Sequence, residues 1–322
     1  AAATEVAVPA EARESSDVAR EGDFVVLWGS YAQVFSVVLK HNAILNNRFG
    51  NFHHDEIIGK PYGCKVTSRK GGAWLALLRP TPELLTQSLV HRTQIIYHAD
   101  ISLLLMLLDA RPGRVMVEAG TGSGSVSSSF ARALRPNGKL HTFEFHEERQ
   151  RQAAADFTRY GFDDVIISRH GDVCKDGFGA HLDGAVHGLF LDVPAPWSAI
   201  PHVSKCLVDG GKFCTFSPCI EQIDKTATEL RRAGYHDIRM FETLAVNWGV
   251  TNKADAKARE PKGQRGQKRQ RVSSPGGKTE AAASGDAAGP AQPEWLSYQM
   301  PMRSHTGFLM ISTKALADER AQ

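Results

Sequence analysis

Short apolar runs and amphipathic runs alternate along this sequence from residue 114 onward. The strand-like runs are "RVMVEA", "KLHTFEF", "DVIISRH", "GLFLD", "GKFCTFS" and "HDIRMFETLAV". Between them lie the helix-like runs "SVSSSFARAL", "EERQRQAAADFTRY" and "IEQIDKTATELRRA". Because strands joined through helices pair in parallel and carry helices on both faces, the alternation predicts a doubly wound α/β sheet. The run "HTGFLMIST" (305–313) predicts one more strand after a long interruption.

The N-terminal part of the chain has a different pattern. Residues 21–80 contain the β-type runs "FVVLW", "AQVFSVVLK", "CKVTS" and "WLALL", separated by Gly, Asn and His clusters. This pattern predicts a small β-rich N-terminal domain. Residues 1–20 are rich in Ala, Glu and Ser without periodicity, and we expect a disordered N-terminus there.

A basic, low-complexity segment interrupts the α/β pattern at 251–292. It is rich in Lys, Arg, Gly, Ala, Ser and Pro, which predicts a disordered insertion, so that the α/β domain would comprise 81–250 and 293–318. The whole chain has a formal net charge of +3, whereas 253–271 carries eight basic and two acidic side chains. The remainder is therefore net negative, and nucleic-acid binding would need a local patch, a basic arm or a partner's surface.

Composition excludes several classes of protein. The longest fully apolar stretch, "LLLMLL" (103–108), is far shorter than the roughly 20 residues of a membrane span. The N-terminal residues also lack the pattern of a secretory signal. The five cysteines are odd in number and form no C-x-x-C motif, so we expect no disulfide framework, no metal site and a reducing compartment.

A glycine-rich turn marks the candidate binding site. "VMVEAGTGSGSVSSSF" (115–130) places Gly120, Gly122 and Gly124 between a strand and a helix. Glycine allows a tight turn and close approach of a ligand, and the N-terminus of the helix attracts anions. Glu144 ends the next strand, where an acid can accept both hydroxyls of a ribose. The combination predicts a nucleoside-type cofactor rather than an ordinary turn.

The spacing and the acids narrow the choice of cofactor. The turn is G-x-G-x-G, whereas a dinucleotide pyrophosphate favours G-x-G-x-x-G. Glu118 would repel a diphosphate but could pair with the amino group of S-adenosylmethionine (SAM), and Asp172 could receive an adenine amino group. Glu118, Glu144, Asp172 and Asp192 all end predicted parallel strands, the edge at which open α/β sheets bind ligands.

Several motifs together indicate a family. They are "RPTPELLTQSLVHRTQIIYHADIS", "EAGTGSGSVS", "HTFEFHEER", "GDVCKDGFG", "FLDVPAPW", "GGKFCTFSPCIEQ" and "HTGFLMISTK". On these motifs the chain resembles the catalytic subunits of eukaryotic tRNA (adenine58-N1)-methyltransferases, over roughly 21–250 and 293–315. The resemblance implies a Rossmann-like, seven-stranded SAM-dependent methyltransferase domain whose last strand is antiparallel, beside a small β-rich N-terminal domain.

The resemblance also implies site residues and partners. Together with Glu118 and the glycine turn discussed above, these residues make up the expected cofactor-binding set. The set is Gln94, Ile96, Glu118, Gly120, Gly122, Ser123, Gly124, Ser125, Glu144, Arg149, Asp172, Val173 and Asp192. The expected substrate-binding residues are Tyr97, His98, Pro194, Trp197, Ser217 and Pro218. The substrate would be tRNA, and the active form would pair two catalytic subunits with two copies of a non-catalytic sister subunit. Localisation in the nucleus is expected, with "KRQR" (268–271) as an import signal or an RNA-binding arm.

The stretch "LFLDVPAPW" (189–197) carries the catalytic prediction. We expect Asp192 to accept a hydrogen bond from adenine N6 and to stabilise the positive charge that arrives on the ring. Pro194 and Pro196 would stiffen the adjoining loop. Two alternatives remain open: Asp192 could cap a helix or a loop, and Trp197 could anchor the next helix instead of stacking on a base or ribose.

Two other functions remain as alternatives. One is a non-catalytic tRNA-binding subunit of the same fold, which the intact glycine turn, Glu144 and Asp192 disfavour. The other is a nicotinamide dehydrogenase, which the glycine spacing and the lack of an evident Tyr-x-x-x-Lys or His pair disfavour.

Overall fold

The computed structural model describes residues 17–30, 33–69, 72–89, 92–244, 248–250, 296–298 and 306–316. The predicted insertion at 251–292 lies outside the described residues, as does most of the predicted disordered N-terminus. Among the described residues, no helix combines the length and the apolar composition that crossing a bilayer requires.

The N-terminal region is built of short antiparallel strands, as predicted. They are β1 (Phe24–Ser30), β2 (Gln33–Val38), β3 (Ile44–Asn47), β4 (Gly50–His53), β5 (Lys65–Thr67) and β6 (Trp74–Leu78). Four of them form a sheet in the order β2-β1-β6-β5, and β3 pairs with β4 as a hairpin. This hairpin is not evident from the sequence, because the polar segment "ILNNRFGNFH" lacks apolar alternation. Phe52 packs it onto the buried core with Leu27 and Leu75.

A seven-stranded sheet dominates the rest of the structure. Its strands are β7 (Val115–Ala119), β8 (Lys139–Glu144), β9 (Ile166–His170), β10 (Val186–Leu191), β11 (Leu207–Ser217), β12 (Tyr235–Phe241) and β15 (Phe308–Lys314). Their order is β12-β15-β11-β10-β7-β8-β9. The strands from β11 to β9 are parallel, and β15 is antiparallel to both β11 and β12. The predicted α/β sheet with an antiparallel last strand is therefore confirmed.

Helices cover the sheet on both faces. They are α1 (Pro82–Ser88), α2 (His98–Leu107), α3 (Ser125–Leu134), α4 (Glu147–Arg159), α5 (Ile200–Cys206) and α6 (Ile220–Arg232). Side chains alternate across a strand, so neighbouring strand residues enter different cores. Met116 packs with Phe130 of α3, whereas Val117 packs with Val203 of α5. Both faces of the sheet are thereby buried, which explains the almost continuous apolar runs of the central strands.

The strand order places a crevice beside β7. From β7 the chain continues to β8 and β9 on one side of the sheet and then crosses back to β10 and β11 on the other. Crossover connections that diverge in this way leave a ligand site at the carboxyl ends of the strands. The predicted strand-end acids lie at this edge.

Two short strands flank the predicted insertion. Trp248–Val250 (β13) pairs antiparallel with Leu296–Tyr298 (β14), and Val250 lies opposite Leu296. They belong to a separate compact unit spanning 244–304.

Candidate active site

A cavity of about 730 Å³ opens at the carboxyl ends of β7, β8, β9 and β10. Its size is in the range typical of small-molecule and cofactor sites. Most of the sequence-predicted site residues line it: Gln94, Ile96, Glu118, Gly120, Gly122, Ser123, Ser125, Glu144, Arg149, Asp172, Val173, Asp192, Pro194 and Pro218. The structure thus brings together side chains from segments that are far apart in the sequence.

The glycine turn is shaped by close backbone approach. Gly120 has φ +94°, and a Cβ there would lie 2.2 Å from the carbonyl oxygen of Asp192. The Asp192 N–H donates to the Ala119 carbonyl at 2.9 Å, which locks the end of β10 against β7. Gly124 does not line the cavity; it precedes α3 in the left-handed conformation and packs against the Phe157 ring.

Two serines hold the wall that contains Gln94 and Ile96. Ser123 Oγ accepts hydrogen bonds from the N–H groups of Arg92 (3.0 Å) and Thr93 (3.3 Å). Ser125 Oγ donates to the Ile96 carbonyl at 3.3 Å. These serines therefore fix the wall to the glycine turn, a role that the sequence alone did not indicate.

Glu144 is a buried, anchored carboxylate at the end of β8. One of its oxygens accepts from the Gly122 N–H at 2.9 Å, and the other accepts from the His146 N–H at 3.1 Å and from Arg149. Burial acts to raise the pKa of Glu144, but these hydrogen bonds outweigh it and lower the pKa. An ionised acceptor at this position suits ribose hydroxyls.

Glu118 is the second-to-last residue of β7 and is only 1% exposed. Ser127 Oγ donates to Glu118 Oε2 at 2.5 Å. Burial, together with the negative charges of Asp192 and Glu144, raises the pKa of Glu118 to about 7. Glu118 therefore changes ionisation near neutral pH, and its predicted pairing with an amino group would favour the charged form.

Asp192 follows β10 directly and differs from the other acids in its hydrogen bonding. Burial and the charge of Glu144 raise the pKa of Asp192 to about 6. Among the described residues, none donates a hydrogen bond to its carboxylate. The structure therefore offers no support for Asp192 as a helix cap, and it leaves this acceptor available to a ligand in the cavity.

Asp172 follows β9 and has a local partner. Its Oδ1 accepts from the Cys174 N–H at 3.0 Å, so the side chain shapes the turn that also presents Val173 to the cavity. Asp172 itself lines the cavity, and adenine recognition by Asp172 stays a prediction.

Like Gly124, four of the predicted substrate-binding residues do not line the cavity. They are Tyr97, His98, Trp197 and Ser217. Tyr97 is exposed, and burial lowers the pKa of His98, which lies near Glu83 and Arg132. The Lys225 ammonium lies 5.0 Å from the centroid of the Trp197 ring, which favours the anchoring alternative for Trp197. The Ser217 side chain is fully buried.

Further residues that were not predicted from the sequence also line the cavity. Among them are Thr93, Phe145, His146, Val193 and Gln222. Phe145 is 61% exposed, which is unusual for a large aromatic side chain next to a buried acid. Its position directly after the strand-end Glu144 was the available signal. In the part of the chain that the structure describes, the cavity included, no group of three or more His, Cys, Asp and Glu side chains is arranged to hold a metal ion.

The cavity fits a nucleoside-type cofactor on its own geometry. Gly120 and Gly122 line the cavity, Glu144 is an anchored acceptor, and Asp192 lies in the wall of the same cavity. The fold and the site together define the class of SAM-dependent methyltransferases.

Comparisons with known proteins place the chain within that class. The family model described as "tRNA methyltransferase complex GCD14 subunit" matches residues 73–314, and the chain belongs to this family. The tRNA (adenine(58)-N(1))-methyltransferase catalytic subunit TRM61 of Candida albicans is 41% identical over 235 residues, covering 71% of this chain and 69% of that protein. The catalytic subunit trmt61a of Dictyostelium discoideum is 41% identical over 229 residues, covering 70% and 73%.

Solved structures agree with the fold. A SAM-dependent O-methyltransferase from Thermotoga maritima superposes with a TM-score of 0.73 at 25% identity, covering 93% of this chain and 96% of that one. The tRNA (m1A58) methyltransferase TrmI from Aquifex aeolicus superposes with a TM-score of 0.66 at 21% identity, covering 93% and 100%.

Proposed function

We propose that this chain is the catalytic subunit of a tRNA methyltransferase that transfers a methyl group from SAM to N1 of adenine 58 in the T-loop. The relatives named above carry this activity in their names. The observation that carries the proposal in the structure is that one cavity contains both an anchored acceptor for a ribose, Glu144, and a carboxylate without a described donor, Asp192.

The residues of the cavity divide into two groups by what they do. Glu144, held by Gly122 and Arg149, would bind the cofactor's ribose, and the glycine turn would lie against the rest of the cofactor. When bound, SAM supplies an electrophilic methyl group on a sulfonium ion. Asp192 would accept a hydrogen bond from adenine N6 and so orient the ring.

Charge then explains why an acid stands at this position. Adenine N1 already has an in-plane lone pair, so no base is required to make it nucleophilic. The ring becomes positively charged as the N1–methyl bond forms, and a fixed carboxylate stabilises that charge in a site of low polarity. Asp192 would do this without taking a proton in the chemical step.

Substrate recognition and assembly extend the proposal. Adenine 58 is stacked within tRNA, so the base must leave its stack at a cost of a few kcal/mol. We propose that RNA binding requires a non-catalytic sister subunit in a heterotetramer of two plus two chains, because the chain outside 253–271 is net negative. Localisation in the nucleus is a further proposal that rests on "KRQR" (268–271), and a fluorescent fusion with these residues replaced by alanine would test it.

The decisive experiment uses the chain co-expressed with its sister subunit. Labelled SAM and unmodified tRNA transcript should give methylation at N1 of adenine 58, and a transcript with uridine at position 58 should give none. The Asp192→Ala variant should lose most turnover while its tRNA affinity stays within a few-fold of wild type. Methylation of another atom, or full turnover by the variant, would exclude the proposed role.

Calorimetry separates this function from the non-catalytic alternative. A catalytic subunit should bind S-adenosylhomocysteine, whereas an inert tRNA-binding subunit should give no heat with it. If the dehydrogenase alternative is wrong, titration with NADH should likewise give no heat of binding.

A further inference from the structure

Helix α6 contacts the loop after Asp192 at two positions. Gln222 Nε2 donates to the Pro194 carbonyl at 2.9 Å, and the Lys225 ammonium lies 5.0 Å from the centroid of the Trp197 ring. Residues three apart lie on one face of a helix. The same face of α6 therefore contacts two positions within the loop between β10 and α5.

The direction of the Asp192 carboxylate depends on this loop. The Asp192 N–H donates to the Ala119 carbonyl at 2.9 Å, which fixes the backbone on the β7 side. Since no described residue donates to the carboxylate itself, its direction follows from the backbone on either side. The Pro194 carbonyl, two residues further on, is where that backbone is tied to α6.

We propose that Gln222 is a positioning residue for methyl transfer, whose amide N–H fixes the Pro194 carbonyl and thereby orients Asp192. This inference rests on the proposed function, because it takes Asp192 as the group that acts on adenine. Gln222 itself lines the cavity, so a substitution at this position acts directly on the site.

Gln222 makes a second hydrogen bond that a test must separate from the first. Its Oε1 accepts from the Cys219 N–H at 3.3 Å, which is one half of a capping box at the start of α6. Gln222→Glu keeps an acceptor for Cys219 but removes the donor to Pro194. Gln222→Lys keeps a donor for the Pro194 carbonyl but removes the acceptor. The two variants therefore divide the positioning role from the capping role.

The kinetic test uses the complex with the sister subunit and unmodified tRNA. Gln222→Glu should lower kcat about 10- to 100-fold, because a misplacement of about 1 Å can cost about 100-fold in rate. Its KM for SAM should stay within about twofold, since the residues around Glu144 are unchanged. Gln222→Lys should keep most turnover. The control is Gln152→Glu on α4, which removes the amide that donates a hydrogen bond to Glu148. This variant should leave kcat unchanged.

Hydrogen exchange of residues 192–199 gives a second readout that needs no activity. Exchange should increase in Gln222→Glu and stay near the wild-type rate in Gln222→Lys. If the wild-type complex transfers no methyl group, the proposed function fails, but the exchange result still decides whether Gln222 holds the loop. The positioning role would be overturned if Gln222→Glu kept both the wild-type kcat and the wild-type exchange rate. It would also be overturned if only Gln222→Lys lost turnover.

Discussion

Arg149 donates two hydrogen bonds, from Nε and Nη2, to a single oxygen of Glu144, at 3.0 and 2.7 Å. The Glu144 side chain is 3% exposed and that of Arg149 is 34% exposed. A buried carboxylate stays ionised only where charges or hydrogen bonds compensate its loss of water. Arg149 therefore supports the binding acid from the solvent side.

This relationship predicts that Arg149 acts through Glu144. Glu144→Gln should weaken S-adenosylhomocysteine binding about 10- to 100-fold, in line with the loss of hydrogen bonds to a charged group. Arg149→Met should weaken it less, and the double variant should be no weaker than Glu144→Gln alone, as measured by calorimetry. Arg151→Met, which removes the exposed pair with Glu148, is the control. Additive losses would mean that Arg149 contacts the ligand directly.

Turnover should depend on the ionisation of Asp192. The pKa of Asp192 is raised to about 6, and only the ionised form can stabilise a positive ring. The rate at subsaturating SAM and tRNA, which reports the ionisation of the unliganded enzyme, should therefore rise as the pH increases through about 6 and level off above it. A rate that is independent of pH over this range would contradict the assignment.

The same pKa predicts a stability change with a defined sign. An acid whose pKa is raised on folding destabilises the folded state when it is ionised. This destabilisation is complete at a pH above the pKa in the folded state, and it is absent below the ordinary pKa of 3.8. Asp192→Asn should therefore stabilise the chain by about 1–3 kcal/mol at about pH 8, and the gain should shrink as the pH falls from about 6 towards 4. Denaturant unfolding at the two ends of this range measures it. An equal gain at both ends would indicate a cause other than charge.

Gly120 should tolerate no side chain. Gly120→Ala places a Cβ 2.2 Å from the Asp192 carbonyl oxygen, so the end of β10 must move. We expect loss of cofactor binding and a marked fall in Tm. Gly161 has a similar φ of +71° with nothing within 4 Å of the added Cβ, so Gly161→Ala should cost only about 1 kcal/mol and keep cofactor binding. Equal effects of the two substitutions would show that backbone strain, not the contact, matters.

The parts of the fold that the sequence predicted are those in which local pattern and tertiary burial agree. The helix Ser125–Leu134 and the strand Lys139–Glu144 match their predicted runs closely, because apolar periodicity there reflects burial in the core. The β3–β4 hairpin escaped prediction because Phe52 alone of its residues is buried, which leaves no alternating pattern.

The residues of the candidate site could likewise be predicted from the sequence only in part. Acids at strand ends can be located from sequence, since the carboxyl edge of a parallel sheet is where ligands bind. Which of them lacks a partner cannot be read from sequence: Asp172 bonds Cys174 and Glu118 bonds Ser127, whereas Asp192 has no described donor. Gln222 likewise reaches the cavity only because α6 packs against a loop that is distant in the chain.

The pairing of Val250 with Leu296 has a consequence for how this family can change. Val250 and Leu296 lie opposite each other in the β13–β14 pair, so a change in the length or composition of the sequence between them leaves this pairing and the register of β12 against β15 intact. Natural variation should accumulate there first, and an engineered tag inserted at the same place should be accepted more readily than at any turn that borders the cavity.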